Sequence, residues 1–238
     1  MVVFGWSANS QITNTTQVFE KDTFHASKGN LVITFIGHAT LMIEAGNKVI
    51  YFDPVLKSAD FAGFPKADFI LITHQHLDHF DKPSIAGISK PESKIIVSLA
   101  CKDLIGNSTV LLNGQALPLG DYKIEAVPAY NIVNTRSDGI AYHPKGSGNG
   151  YVISFGEKRI YVAGDTEKIP EMANLKKIDV AFLPVGLPYT MTIQKVADAA
   201  RSFMPGILYP YHFDEKNPKA LIDLLKDTPI QIRIRKMK

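Results

Sequence analysis

The chain has 238 residues, 45% of them hydrophobic and 21% charged, with a formal net charge of +3. This is ordinary globular material with enough apolar residues for a substantial core; it excludes a disordered, highly charged chain and gives no electrostatic argument for a nucleic-acid partner. The single cysteine, Cys101, excludes an internal disulfide framework and leaves the compartment open, and no apolar run approaches the roughly 20 residues that a membrane span requires.

Residues 1–9 are apolar and then small, without a basic leader. We read 1–25 as an N-terminal extension, ahead of one domain at 26–238 in a cytoplasmic protein; a clipped export signal is the alternative. Strands are expected near 31–36, 40–44 and 48–52, forming a meander. The first leads to Gly37-His38-Ala39-Thr40 and the third ends at Asp53-Pro54. An apolar strand at 69–73 then runs straight into His74-Gln75-His76-Leu77-Asp78-His79, which places four potential metal ligands in six positions. In extended backbone His74, His76 and Asp78 share a face, and a turn at Asp78 brings His79 to the same place. Imidazole with carboxylate suits zinc, and also manganese or iron.

Alternating helical and strand patterns continue through 94–106 and 122–127, with Cys101 in a helix start at 98–104 read as a buried structural thiol. The longest irregular stretch, 131–149, is polar and rich in glycine. It contains Asn131 and His143, and long loops of this kind are often functional. Strands at 151–155 and 159–163 follow, the latter delivering Gly164-Asp165-Thr166, so Asp165 is a further strand-end carboxylate. A strand at 180–183 leads to a second loop that contains Tyr189. Next comes a helix at 192–203, whose apolar Ile193, Val196, Ala197, Ala200 and Phe203 recur at helical spacing. A strand up to His212, a helix around 218–226 and a strand at 230–234 complete the chain. The basic ending Arg233-Ile234-Arg235-Lys236 reads as an edge strand with a solvated face.

With these motifs in order, the sequence resembles the metallo-β-lactamase superfamily of metal-dependent hydrolases. The phrasing Leu71-Ile72-Thr73-His74, Val127-Pro128-Ala129-Tyr130, Ala163-Gly164-Asp165-Thr166 and Leu183-Pro184-Val185-Gly186 is similar to the branch containing L-ascorbate-6-phosphate lactonase and many uncharacterised hydrolases, and more distantly to N-acyl-phosphatidylethanolamine phospholipase D. The resemblance implies an αββα sandwich, with two mixed sheets packed between outer helices. It also implies two divalent ions, Zn2+ before Mn2+ or Fe2+: the first held by His74, His76 and a third histidine, the second by Asp78, His79 and His212, with Asp165 bridging. Asp53 matches the carboxylate that orients the histidine loop from behind.

The third histidine usually follows the Val-Pro-Ala run directly. Here that run continues into Tyr130-Asn131, so His143 is the expected ligand and Asn131 the alternative. The implied chemistry is attack by a metal-bound hydroxide on an ester-like bond, phosphoester or lactone, between cations about 3.5–4 Å apart. Asp78 serves as ligand and proton acceptor, and His38 takes an oxyanion role or packs behind the site. Asn131 and Tyr189 are the expected contacts of a small-molecule substrate, whose identity and the oligomeric state stay open. Two other readings remain: a di-iron redox protein on the same scaffold, which the resemblance would give a glutamate where His76 stands, and a catalytically idle metal-binding protein.

Overall fold

The computed structural model describes residues 18–213 and 219–237. Strands β1 (Glu20–Ala26), β2 (Gly29–Gly37), β3 (Thr40–Ala45), β4 (Lys48–Phe52), β5 (Phe69–Ile72), β6 (Lys94–Val97) and β7 (Ser108–Val110) form one sheet in sequence order, antiparallel as far as β4 and parallel beyond it. The second sheet repeats this plan with β8 (Ala116–Leu119), β9 (Tyr122–Ala129), β10 (Gly148–Phe155), β11 (Lys158–Val162), β12 (Val180–Pro184), β13 (Ile207–Tyr211) and β14 (Gln231–Ile232), antiparallel to β11 and parallel from there. Because β2, β4 and β5 run in one direction, their C-terminal ends lie at one edge of the first sheet. The same holds for β9, β11, β12 and β13 in the second.

Side-chain alternation divides each sheet between two cores. Ile33, Phe35, Phe52 and Leu71 meet Tyr151, Ile153, Phe182 and Tyr209 between the sheets. The alternate residues Tyr51, Ile70 and Ile72 pack under α1 (Lys82–Ile88). On the far side Tyr161, Ala181, Leu183 and Leu208 pack under α2 (Ile193–Phe203), the predicted stripe, whose N-terminus is capped by the Thr192 hydroxyl accepting from Lys195 N at 3.2 Å. With α3 (Ala220–Leu225) beside α2, these layers make the expected αββα sandwich. Among the described residues no helix is long and apolar enough to cross a membrane.

Some expectations are corrected. The boundary drawn at residue 25 falls inside β1, which pairs with β2 along its whole length, from Glu20 opposite Phe35 to Ala26 opposite Gly29. The proposed leader at 1–9 lies outside the described residues. The helix start at 98–104 is a single 3-10 turn, Leu99–Cys101, although Cys101 is buried as expected and burial pushes its thiol up to about 12. The last strand shrinks to Gln231–Ile232, and beyond it the Arg233 and Arg235 side chains turn toward Asp22 on β1. Arg235 Nη2 lies 2.7 Å from both Asp22 oxygens, and Arg233 Nη1 3.3 Å from one.

Candidate metal centre

The aligned strand ends bring six of the chain's histidines to one place. Three non-glycine residues there hold left-handed backbone: His38 (φ 49°) after β2, Asp53 (φ 42°) after β4 and His212 (φ 54°) after β13. Such strain persists only where surrounding structure enforces it, and it concentrates at functional sites. Gly164 (φ 66°) performs the same turn after β11. A Cβ at that position would lie 2.7 Å from Asn149 O, so only glycine can deliver Asp165 here. The 76–80 segment closes a turn, with His79 N and Phe80 N both donating to His76 O, and this swings Asp78 and His79 in behind His74 and His76.

Two clusters result. In the first, His76 Nδ1 lies 3.1 Å from both His74 Nε2 and His143 Nε2. The acceptors behind the rings fix the tautomers. Asn131 Oδ1 accepts from His143 Nδ1 at 2.7 Å, and Thr73 Oγ1 accepts from His74 Nδ1 at 3.0 Å while giving its own proton to Asp53 Oδ2 at 2.7 Å. Two imidazole lone pairs thus face one His76 nitrogen, which can donate to only one of them. Burial lowers the affinity of all three rings for protons, His143 down to about 4, so they stand neutral near pH 7.

The second cluster is charged. Ligand atoms of His38, Asp78, His79 and His212 all lie within 4.8 Å of one another. Asp165 sits between the clusters: Oδ2 is 3.2 Å from His212 Nε2, 3.5 Å from His143 Nε2 and 3.9 Å from His74 Nε2, while Oδ1 is 3.4 Å from His79 Nε2. Burial opposes the charged form of Asp165, but His212 and His79 hold it well below the usual carboxylate range. Burial likewise opposes protonation of His212 and His79, and the carboxylates outweigh it; Asp165 and Asp78 push His212 up to about 10.

The donor set fits divalent ions. Buried His79 Nε2, Asp165 Oδ1 and both nitrogens of His212 make no aligned hydrogen bond, which is costly for polar atoms unless another ligand satisfies them. Protonated imidazoles beside Asp78 and Asp165 supply the positive charge that a cation would supply, and binding a metal would release those protons.

A family description for a Beta-lactamase superfamily domain matches residues 32–212. The chain belongs to the metallo-β-lactamase superfamily. It is 33% identical over 189 residues to a UPF0173 metal-dependent hydrolase of Nanoarchaeum equitans, covering 76% of this chain and 83% of that one. The crystal structure of a candidate metal-dependent hydrolase from Parabacteroides distasonis is 47% identical, with a TM-score of 0.89 over 93% of this chain and all of the other. The fold is shared with Igni18, a metallo hydrolase from Ignicoccus hospitalis, at a TM-score of 0.71 and 22% identity over 87% of this chain and 95% of that one.

In this superfamily member the expected ligands His74, His76, Asp78, His79, His143, Asp165 and His212 converge. Asp53 stands behind them, accepting from Thr73 N at 2.8 Å and His79 Nδ1 at 2.8 Å. Asn131 departs from expectation. It is buried, its oxygen takes both the backbone N and the ring of His143, and its amide donates to Tyr189 O at 2.8 Å, so both polar ends are engaged within the protein rather than open to substrate. The Tyr189 side chain is half-exposed and edge-on to Tyr142, on the loop that Asn131 ties down. His25 lies on β1 and bonds Asn30.

Sequence reasoning missed two residues. Thr73, quoted only as part of a motif, links Asp53 to His74. Glu167, buried next to the Gly-Asp-Thr turn, accepts from the backbone amides of Ile132, Val133 and Asn134 and so fixes the base of the loop carrying His143. An acid directly after the Gly-Asp-Thr motif is the only signal of it in the sequence.

Proposed function

We propose that the protein is a hydrolase that uses two divalent ions, zinc before manganese or iron, to cleave an ester-like bond, a phosphoester or a lactone. The observation that carries this reading is the convergence of seven ligand-type side chains, with Asp165 within 3.2–3.9 Å of four of the imidazoles and lone pairs left facing one another in the first cluster. When bound, the ions would polarise a carbonyl or phosphoryl oxygen and bring the pKa of a water close to neutral.

The protein's own contribution is preorganisation. Thr73, Asn131 and Asp53 hold the distal nitrogens of His74, His143 and His79, so His74 and His143 present a fixed lone pair and His79 would do so on giving up its second proton. Asp78, with a side chain 43% exposed, is the carboxylate of the cluster that solvent reaches best, and we assign it the role of proton acceptor during attack. The loops 131–149 and 184–190 flank the centre, and Asn131 and Asn134 join them through the carbonyls of Tyr189 and Thr190. We place substrate selection there, for a small molecule.

The test is metal analysis of protein purified without chelator, followed by assay of the Zn2+, Mn2+ and Fe2+ forms on bis(4-nitrophenyl) phosphate and a series of lactones. Turnover removed by chelator and restored by one of the ions is expected. A fully metallated protein that turns over neither class would remove this reading.

A further inference from the structure

His38 lies outside the ligand set that the sequence implies, yet it is built into the second cluster as firmly as the expected ligands. Its backbone N donates to Met237 O at 2.9 Å, and its carbonyl accepts from His212 N at 3.1 Å. Its ring sits with its centroid 4.0 Å from that of His212 and 5.8 Å from that of His79. The ring nitrogen Nε2 is 3.1 Å from Asp78 Oδ2, the same oxygen that lies 3.8 Å from His79 Nε2 and 3.7 Å from His212 Nε2. His38 therefore points at the inward oxygen of Asp78, which faces the other donors.

Donors held about 2.0–2.2 Å from one cation stand roughly 3.0 Å apart at right angles and about 4.2 Å apart when opposed. All three separations around Asp78 Oδ2 fall in that range. A hydrogen-bond prop for Asp78 has no need to share an oxygen and a neighbourhood with two other imidazole nitrogens.

Building on the two-ion reading above, we propose that His38 is a direct ligand of the second cation, joining Asp78, His79 and His212. That side of the centre then offers three imidazoles and a carboxylate in addition to the shared Asp165, whereas the other offers three imidazoles and Asp165. Counted by donors the second site is the more nearly filled, and the three-histidine side leaves more positions for an exogenous molecule. A nitrogen-rich set of this kind selects zinc, cobalt or iron over magnesium and calcium, which prefer oxygen donors.

The test compares wild type with His38→Asn, since asparagine tolerates left-handed backbone, in chelator-competition titrations with Zn2+ and Co2+. The variant should keep one tight equivalent, bind the second at least tenfold more weakly, and change the visible Co2+ spectrum of that second equivalent only. Equal affinity for both equivalents with an unchanged spectrum would overturn the proposal and leave His38 as a prop for Asp78.

A measurement on wild type guards against a variant that folds poorly. In protein loaded with 113Cd and labelled with 15N, the second cadmium should couple to three imidazole nitrogens, those of His38, His79 and His212; coupling to two overturns the proposal. Wild type that takes up no tight metal would sink the two-ion centre itself, and uptake of one equivalent that His38→Asn retains would sink the His38 role alone.

Discussion

Apart from Asp53, which holds both Thr73 and His79, the two clusters are braced by different parts of the chain. The three-histidine cluster is supported close by: Thr73 adjoins His74, and Asn131 reaches His143 across the neck of one loop that Glu167 pins at its base. The second cluster depends on distant segments, because His212 N bonds His38 O, and His38 N bonds Met237 O near the end of the described chain. The first is neutral and preset, whereas the second is charged and stores protons where the proposed second cation would sit. One half can therefore be damaged through its ligand supports, the other through the packing of the chain ends.

The largest effect should come from the one residue common to both. Asp165→Asn keeps the size of the side chain but removes the charge that lies 3.2–3.9 Å from four imidazole nitrogens. Both metal equivalents should weaken together, and turnover should fall by more than the roughly 10–100-fold that follows a change behind the ligands. His76→Ala should instead strip the first equivalent and leave the protein folded, since His76 sits at the rim of the sandwich. Metal stoichiometry for the two variants measures the comparison directly; loss of a single equivalent in Asp165→Asn would show that Asp165 belongs to one cluster only.

A smaller contrast separates ligand from support inside the first cluster. His143→Ala removes a donor and should cost more than the roughly 10–100-fold typical of changes behind the ligands, whereas Asn131→Ala should fall within that range. The reverse order in a Zn2+ titration would make Asn131 the donor.

Much of the centre was legible because its ligands are dense in sequence. The run from His74 to His79 follows an apolar strand, and Asp165 and His212 end two others, so extended geometry alone aims them at one edge. His143 was reachable only through resemblance, since it lies twelve positions beyond Asn131 in an irregular loop and no periodicity fixes its direction. The roles of Asn131, Thr73 and His38 depend on which atom faces which, and sequence spacing does not record that.

The same limit applies to the fold. Strand β1 was overlooked because Glu20–Ala26 is half-exposed and charged, as an edge strand is, and α1 because Lys82–Ile88 is two turns long with a glycine inside it. The regular strands and α2 were found because burial on one face imposes a period that survives in the sequence.

The smallest predicted effect tests whether the chain ends support the second cluster. Asp22 on β1, placed by sequence reasoning in an N-terminal extension, binds Arg235 and Arg233 and accepts from the Tyr209 hydroxyl. Burial opposes its charge, but Arg235 and Tyr209 outweigh burial and hold its pKa below the ordinary value. A carboxyl depressed in the folded state stabilises the protein above its unfolded pKa of about 3.9, and that contribution is lost as pH falls through the folded value.

Asp22→Asn should therefore lower stability by about 1–2 kcal/mol at pH 7, a range for charged hydrogen bonds discounted for the partly exposed arginines. The gap to wild type should stay constant down to about pH 5 and narrow below pH 4. Urea midpoints at pH 7 and pH 3 read this directly, and a gap that widens in acid would contradict it. Because Arg233 and Arg235 lead to Met237, whose carbonyl holds His38, the same variant should weaken the second metal equivalent by a few-fold and leave the first unchanged. Equal weakening of both would mean that the chain ends brace both clusters, beyond the Asp53 they already share, and the contrast between them would reduce to charge alone.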